Sequence, residues 1–262
     1  ALDGSATLVP LANIANRHGR VIADHIAGKK TRYVDAQGTA IVKVFELTVA
    51  TSGWNEKRLI AAKRNYLAVH SHPASHAGYF PGAQGMSLKL LVDPTTQKIL
   101  GVQGVGKDGV DKRIDVIATA MRAGMTAPEL ADLELAYAPP FGSAKDPVNM
   151  LGYISENALS GITPTVQWHE VEAKVAEGFS VLDVRSVGEV DRGTLPGAKN
   201  LPIDEIRERK EEIPTGKILV TCQVGQRGHA ATRLLREMGY EAVNLDGGYM
   251  TWSNSPACLT TK

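Results

Sequence analysis

The segment 217–228 (KILVTCQVGQRG) constrains this chain more than any other, because it joins an apolar run, a cysteine, a glycine-containing loop and the start of a second patterned stretch. Ile218, Leu219 and Val220 follow one another without alternation and read as a strand buried on both faces. From Gly228 to Met238, the residues Leu234, Leu235 and Met238 return at helical spacing. A strand that passes directly into a helix belongs to a parallel α/β sheet. The flanking residues agree. Residues 179–185 (FSVLDVR) form a second apolar strand, residues 242–245 a third, and Gly247-Gly248 leads into a last helical turn through Trp252. Residues 204–212 are expected to be a charged, exposed helix. The parallel region begins after Ser160-Gly161-Ile162-Thr163-Pro164, a breaker cluster that marks a domain boundary.

The order of elements before that boundary is different. Residues 12–27 read as a helix stopped by Gly28, and residues 40–50 alternate with period two as a strand. Asn55 caps a helix running to about Lys63. Residues 66–70, 86–92 and 99–105 are further strands, with Asp93-Pro94-Thr95-Thr96 turning a hairpin. Ile114, Ile117, Ala118 and Met121 share one face of a helix over residues 111–123, stopped by Gly124. Asp146-Pro147 supplies a capping side chain and a first-turn proline for another helix. Helix, strands and helices in that order imply an α+β domain with an antiparallel sheet backed by helices.

Twenty-nine basic residues against 28 acidic ones leave a net charge of +1, with no block of like charge. That argues against nucleic acid or an anionic membrane surface as the main partner. No apolar run approaches transmembrane length and no signal-peptide pattern opens the chain. Two cysteines, Cys222 and Cys258, are too few for a disulfide framework, which fits a reducing, cytoplasmic setting. The opening residues, Ala1 to Thr7, lack a Met and run almost at once into a strong helical pattern, so the chain reads as the back part of something longer.

Cys222 is expected at the carboxyl end of a strand in a parallel sheet, where ligands bind. Backbone N–H groups of Gln223, Val224, Gly225, Gln226, Arg227 and Gly228 can curl round a central anion, and the next helix points its positive end there. Such donors favour a thiolate and the outer sulfur of a persulfide, and Arg227 can fold over the loop to hold negative charge. A buried structural cysteine is the plainer alternative. The glycine, the arginine and the helix start outweigh it.

Two other segments suggest chemistry. His70, His72 and His76 look like a metal cluster, but no acid or cysteine joins them within the segment and Pro73 turns the chain, so no metal is assigned. The stretch 101–109 (GVQGVGKDG) lacks the spacing of a dinucleotide fingerprint and reads as a turn-rich connection needing positive φ. Cys258 reads as incidental, with a resolving thiol as the alternative.

At this point family likeness becomes plain. Leu182-Asp183-Val184-Arg185, Gly193-Thr194-Leu195-Pro196-Gly197-Ala198, Cys222 to Arg227, and Asp246-Gly247-Gly248 with Trp252 resemble the rhodanese signatures in order. The resemblance implies that Cys222 accepts and passes on sulfane sulfur. Four residues separate Cys222 from Arg227, the shorter loop of sulfurtransferases. Thr194 stands where a His is usual.

The first half is similar to the dimerisation domain of pyridine nucleotide–disulfide oxidoreductases, in the segments 101–115 and 137–141 (YAPPF) and in Pro10 to Arg20. The combination most resembles coenzyme A-disulfide reductase–rhodanese fusions, including NADH-dependent persulfide or polysulfide reductases. The resemblance implies residues 1–30 as the tail of an FAD-binding domain, 31–160 as the dimerisation domain and 163–258 as the rhodanese domain. It implies a homodimer and, in the intact parent, FAD, coenzyme A and NAD(P)H. Tyr79 and Tyr137 would reach the partner's active site and serve a leaving thiolate. Leu11, Ala12, Tyr137 and Ala138 would face FAD; Asn16, Arg17 and Lys145 would contact coenzyme A. No dinucleotide fingerprint is present, so reductase activity is not expected from these residues alone. The alternatives are a stand-alone thiosulfate sulfurtransferase or a sulfur-carrier module on a non-catalytic dimer scaffold. The neutral Gln223 and Gln226 favour a persulfide donor over dianionic thiosulfate.

Overall fold

The computed structural model describes residues 6–260, except the side chains of residues 259 and 260. Residues 1–5, on which part of the reading of the chain's start rests, lie outside the described residues. Two five-stranded sheets carry the fold, the first antiparallel and the second parallel. The expected α+β and α/β architecture is therefore present.

The first half runs α1 (Ala12–Ile26), β1 (Ala40–Val44), β2 (Leu47–Gly53), α2 (Glu56–Ala61), β3 (Leu67–Ser71), β4 (Met86–Val92), β5 (Ile99–Gly106), α3 (Val110–Ala123) and α4 (Pro147–Leu159). Its sheet has the order β1-β2-β5-β4-β3. Leu88, Leu90 and Val102 bury one face of the sheet against Ile114, Ile117 and Leu151 from α3 and α4. The caps are the expected ones: Asn55 accepts from the Arg58 N–H, Gly124 closes α3 in the left-handed region, and Asp146 with Asn149 forms a capping box on α4.

Two expectations need correction here. Residues 40–50 are not one strand but a hairpin, because Phe45 takes φ 52 and Val44 pairs with Leu47. The glycines of 101–109 mostly serve close packing inside β5 rather than positive φ. A Cβ on Gly101 would sit 1.9 Å from the Trp54 carbonyl oxygen, and only Gly109 is left-handed.

The second half runs β6 (Thr165–Val166), α5 (Val171–Ala176), β7 (Phe179–Asp183), α6 (Val187–Val190), β8 (Lys199–Asn200), β9 (Lys217–Thr221), α7 (Gln226–Glu237), β10 (Glu241–Leu245), α8 (Gly248–Ser253) and α9 (Pro256–Thr260). Its order is β6-β10-β9-β7-β8, so β9 is central, with Ala242 beside Ile218 and Leu182 beside Val220. Residues 204–212 do not form the expected helix; they make two short 3-10 turns, Ile203–Glu205 and Lys210–Glu212.

Candidate active site at the Cys222 loop

Cys222 leaves the end of β9 fully buried, at 0% exposure. The Gly225 N–H donates to its Sγ at 3.2 Å. Gly225 has φ 89, a left-handed conformation that turns the loop back before α7 begins. The loop's carbonyls are occupied from outside. Tyr249 N–H donates to the Cys222 oxygen at 2.7 Å, Met250 N–H to the Gln223 oxygen at 2.9 Å, and the Asn244 amide to the Gly225 oxygen at 3.1 Å. With those carbonyls bonded from outside the loop, the Gly225 N–H is directed at the sulfur. Gly248 permits this packing, since a Cβ there would lie 2.4 Å from the Cys222 oxygen and 2.9 Å from the Val224 nitrogen.

Arg227 stands in the first turn of α7, directly after the loop. Its guanidinium forms a two-point ion pair with Glu189, which α6 presents with Ser186 N–H and hydroxyl also on the carboxylate. Those bonds, Arg227 first, hold Glu189 down to about 2 and push Arg227 above its ordinary value. Glu189 carried no signal in the sequence beyond a capping box of the Ser186-x-x-Glu189 kind.

Beneath the loop lies a buried polar cluster. Arg185 donates to Asp183, to the Gly193 carbonyl at 2.7 Å and to the Gln223 side chain at 3.1 Å, and stacks on Tyr249 at 4.3 Å. Thr194 donates to Asp183 at 2.6 Å, so the residue that departs from the family pattern still satisfies this carboxylate.

Two of the three histidines, His70 and His72, link the two halves. His70 donates its backbone N–H to Asp246 and pairs through Nδ1 with the same carboxylate at 2.6 Å. His72 bridges Ser87 and Thr251, at 2.9 and 2.7 Å. Burial first, then the neighbouring His70, pushes His72 down to about 4. His76 packs edge-on against Phe80. A cleft of about 530 Å³ opens beside these links, lined among others by His70, Lys145, Tyr153, Val224, Gln226 and His229.

Tyr79 and Tyr137, 58 residues apart, come together with hydroxyls 3.2 Å apart on the surface. Their exposures are 78% and 48%. The hydrogen bond it shares with Tyr79 raises the Tyr137 phenol above its ordinary value. Their two segments are tied by Ala77 N–H to the Gly142 carbonyl, and by buried Arg113, which donates to both Ser75 O and Asp146. Arg113 and Asp146 were not singled out in the sequence as a pair; nothing local marks two partners 33 residues apart.

The residues expected near cofactors are spread out. Leu11 is the N-cap of α1 and makes no side-chain cap bond; α1 buries no residue, leaving Ile22 and Ile26 exposed. That uncovered helix fits a face packed on further protein or cofactor. Arg17 donates through one guanidinium nitrogen to the Val34 and Asp35 carbonyls, and Asn16 donates to the Ala12 carbonyl. Lys145 lies 5.9 Å from the Tyr153 ring centroid at the cleft. Cys258 packs half-buried against the cluster that includes Trp252, and no disulfide joins it to Cys222.

This geometry agrees with comparisons to known proteins. Residues 39–147 match the pyridine nucleotide-disulphide oxidoreductase dimerisation domain, and residues 167–255 match the rhodanese-like domain. The reduced CoADR-RHD of Bacillus anthracis is 48% identical with a TM-score of 0.93, covering 96% of this chain and 46% of that one. The chain thus combines a pyridine nucleotide-disulphide oxidoreductase dimerisation domain with a rhodanese-like domain. A NAD-dependent persulfide reductase from A. fulgidus is 38% identical over the same shares, with a TM-score of 0.87. Coenzyme A disulfide reductase of Staphylococcus haemolyticus is 42% identical over 146 residues, which is 55% of this chain. The chain spans 33% of that curated relative's length.

Proposed function

We propose that the parent protein is an FAD- and NAD(P)H-dependent reductase of coenzyme A persulfide, polysulfide or coenzyme A disulfide, in which Cys222 carries sulfane sulfur. The observation behind the sulfur role is the enclosed Cys222 Sγ, with the Gly225 N–H at 3.2 Å and α7 starting beside it. In the transfer, the Cys222 thiolate attacks the outer sulfur of a persulfide R–S–SH. The donor S–S bond breaks, R–S leaves with the proton as R–SH, and Cys222–S–S⁻ remains. No external oxidant or reductant enters this step. The loop N–H groups would stabilise the anionic outer sulfur, as at other helix N-termini.

Tyr79 and Tyr137 are proposed to donate hydrogen bonds to a leaving thiolate in the reductase site. Leu11, Ala12, Tyr137 and Ala138 are proposed to border FAD, whose contribution is to pass electrons from NAD(P)H to the disulfide or persulfide. For coenzyme A, Asn16, Arg17 and Lys145 are the proposed contacts, with Lys145 lying at the cleft. A homodimer is supported by the dimerisation-domain match and by uncovered apolar residues on the first sheet, where Phe45 is 94% exposed. We also place the protein in the cytoplasm; no helix among the described residues is long and apolar enough to cross a membrane.

A thiosulfate donor is disfavoured by the Glu189 carboxylate, which neutralises Arg227 at the loop. The test is mass spectrometry of the Cys222 peptide after incubation of the reduced protein with coenzyme A persulfide or thiosulfate. A gain of about 32 Da (one sulfur) is expected from the persulfide. No gain from either donor overturns the carrier reading.

A further inference from the structure

We propose that His70, supplied by the antiparallel domain, is a positioning residue for the Cys222 loop. The proposal extends the sulfur-carrier reading, because it concerns how the same loop is held. Three links lead from one domain to the other. His70 donates its backbone N–H to Asp246 at 3.0 Å and engages the same oxygen through its ring at 2.6 Å. Gln167 spans the junction, donating to the Ala68 carbonyl at 2.9 Å and to Asp246 at 3.2 Å. His72 holds Thr251, on α8, at 2.7 Å.

Asp246 is buried, and it stands immediately before Gly247-Gly248. That pair turns the chain into α8, whose Tyr249 and Met250 N–H groups fix the carbonyls of Cys222 and Gln223. Gly247 itself lies against His70, since a Cβ on it would be 2.8 Å from the His70 Cβ. So the carboxylate that anchors the turn takes two donors, both from His70, from the domain before the boundary, and the turn sets the loop that encloses the sulfur. An isolated parallel domain would present Asp246 without His70. Such a domain would have to hold its loop by other means.

The test uses the whole chain and its His70→Ala, His70→Asn and Asp93→Asn variants. Amide hydrogen exchange is followed by peptide for residues 222–228 and 247–251, with β4 as an internal reference, alongside the rate of sulfur loading at Cys222. Removing one hydrogen bond to a buried carboxylate is expected to speed exchange in both loop segments by about tenfold, leaving β4 unchanged. His70→Asn, whose amide can replace the ring donor, restores the native pattern. Asp93→Asn removes the Arg64–Asp93 ion pair on the antiparallel domain and is expected to leave the loop's exchange unchanged. If His70→Ala leaves the loop peptides unchanged, or loosens β4 equally, the proposal is overturned. Should His70→Ala fail to fold, Gln167→Met removes a different donor from Asp246 and is expected to loosen the same two segments; no change there overturns the proposal equally. Because exchange is read without any donor, failure of Cys222 to take up sulfur would defeat the carrier reading and leave this result to be judged separately.

Discussion

Arg227 and Glu189 form a two-point ion pair, with Nη1 to Oε2 at 2.8 Å and Nη2 to Oε1 at 2.6 Å. The only positive charge that the Cys222–Arg227 loop carries is therefore balanced by a carboxylate from α6. Replacing Glu189 with Gln frees that charge. Thiosulfate loading at low concentration is expected to rise by about threefold or more, with a smaller change for a monoanionic persulfide. Equal effects on both donors would contradict the electrostatic account.

The same pair gives a pH signature. Glu189 is held at about 2, below the 4.5 of an ordinary glutamate. A depressed acid stabilises the fold above its unfolded value, and that contribution is lost as pH falls from 4.5 toward 2. His72 acts in a separate window. It sits at about 4 in the fold against 6.5 when free, so the unfolded chain takes up the proton first. Stability is then expected to fall by about 2 kcal/mol between pH 7.5 and 5 on this account. Urea midpoints at the two pH values, for wild type and His72→Gln, check it. The variant should show the smaller drop, and equal drops would count against a buried neutral His72.

Gly248→Ala tests the cradle. Its Cβ would meet only backbone atoms of the loop, at 2.4 to 2.9 Å, and φ is +61. A loss of about 2–4 kcal/mol and a marked fall in sulfur loading are expected. Gly188→Ala is the control, because nothing lies within 4 Å of its added Cβ. Comparable losses in the two variants would show that the loop packing is not the cause.

Tyr79 and Tyr137 are best tested by Phe substitution in the full-length parent. Loss of a positioned phenol is expected to lower turnover by about tenfold or more in each variant. Turnover within about twofold of wild type in both would make the pair a packing feature.

Much of the site was legible because it is local. The apolar run 217–221, the cysteine at its end, Gly225 and the helix after it lie within one short segment, and strand burial with glycine chemistry dictates their geometry. The Asp146-Pro147 start and the Gly124 stop were legible for the same reason. The hairpin at Phe45 was not, since its turn contains neither glycine nor asparagine, the residues that usually announce positive φ. The 204–212 segment misled because helical propensity is a weak signal that tertiary context overrides, here in favour of two short 3-10 turns. Glu189 facing Arg227, and His70 facing Asp246, lie 38 and 176 residues apart. Only the fold makes such pairs, and no periodicity in one strand or helix could reveal them.

The central claim is that Cys222 bears transferable sulfur, and peptide mass spectrometry tests it most directly. Reduced protein treated with coenzyme A persulfide should gain about 32 Da on the Cys222 peptide, lose it to an added thiol, and gain none after Cys222→Ser. A Cys222 peptide that stays at the mass of the free thiol under both persulfide and thiosulfate would contradict the account.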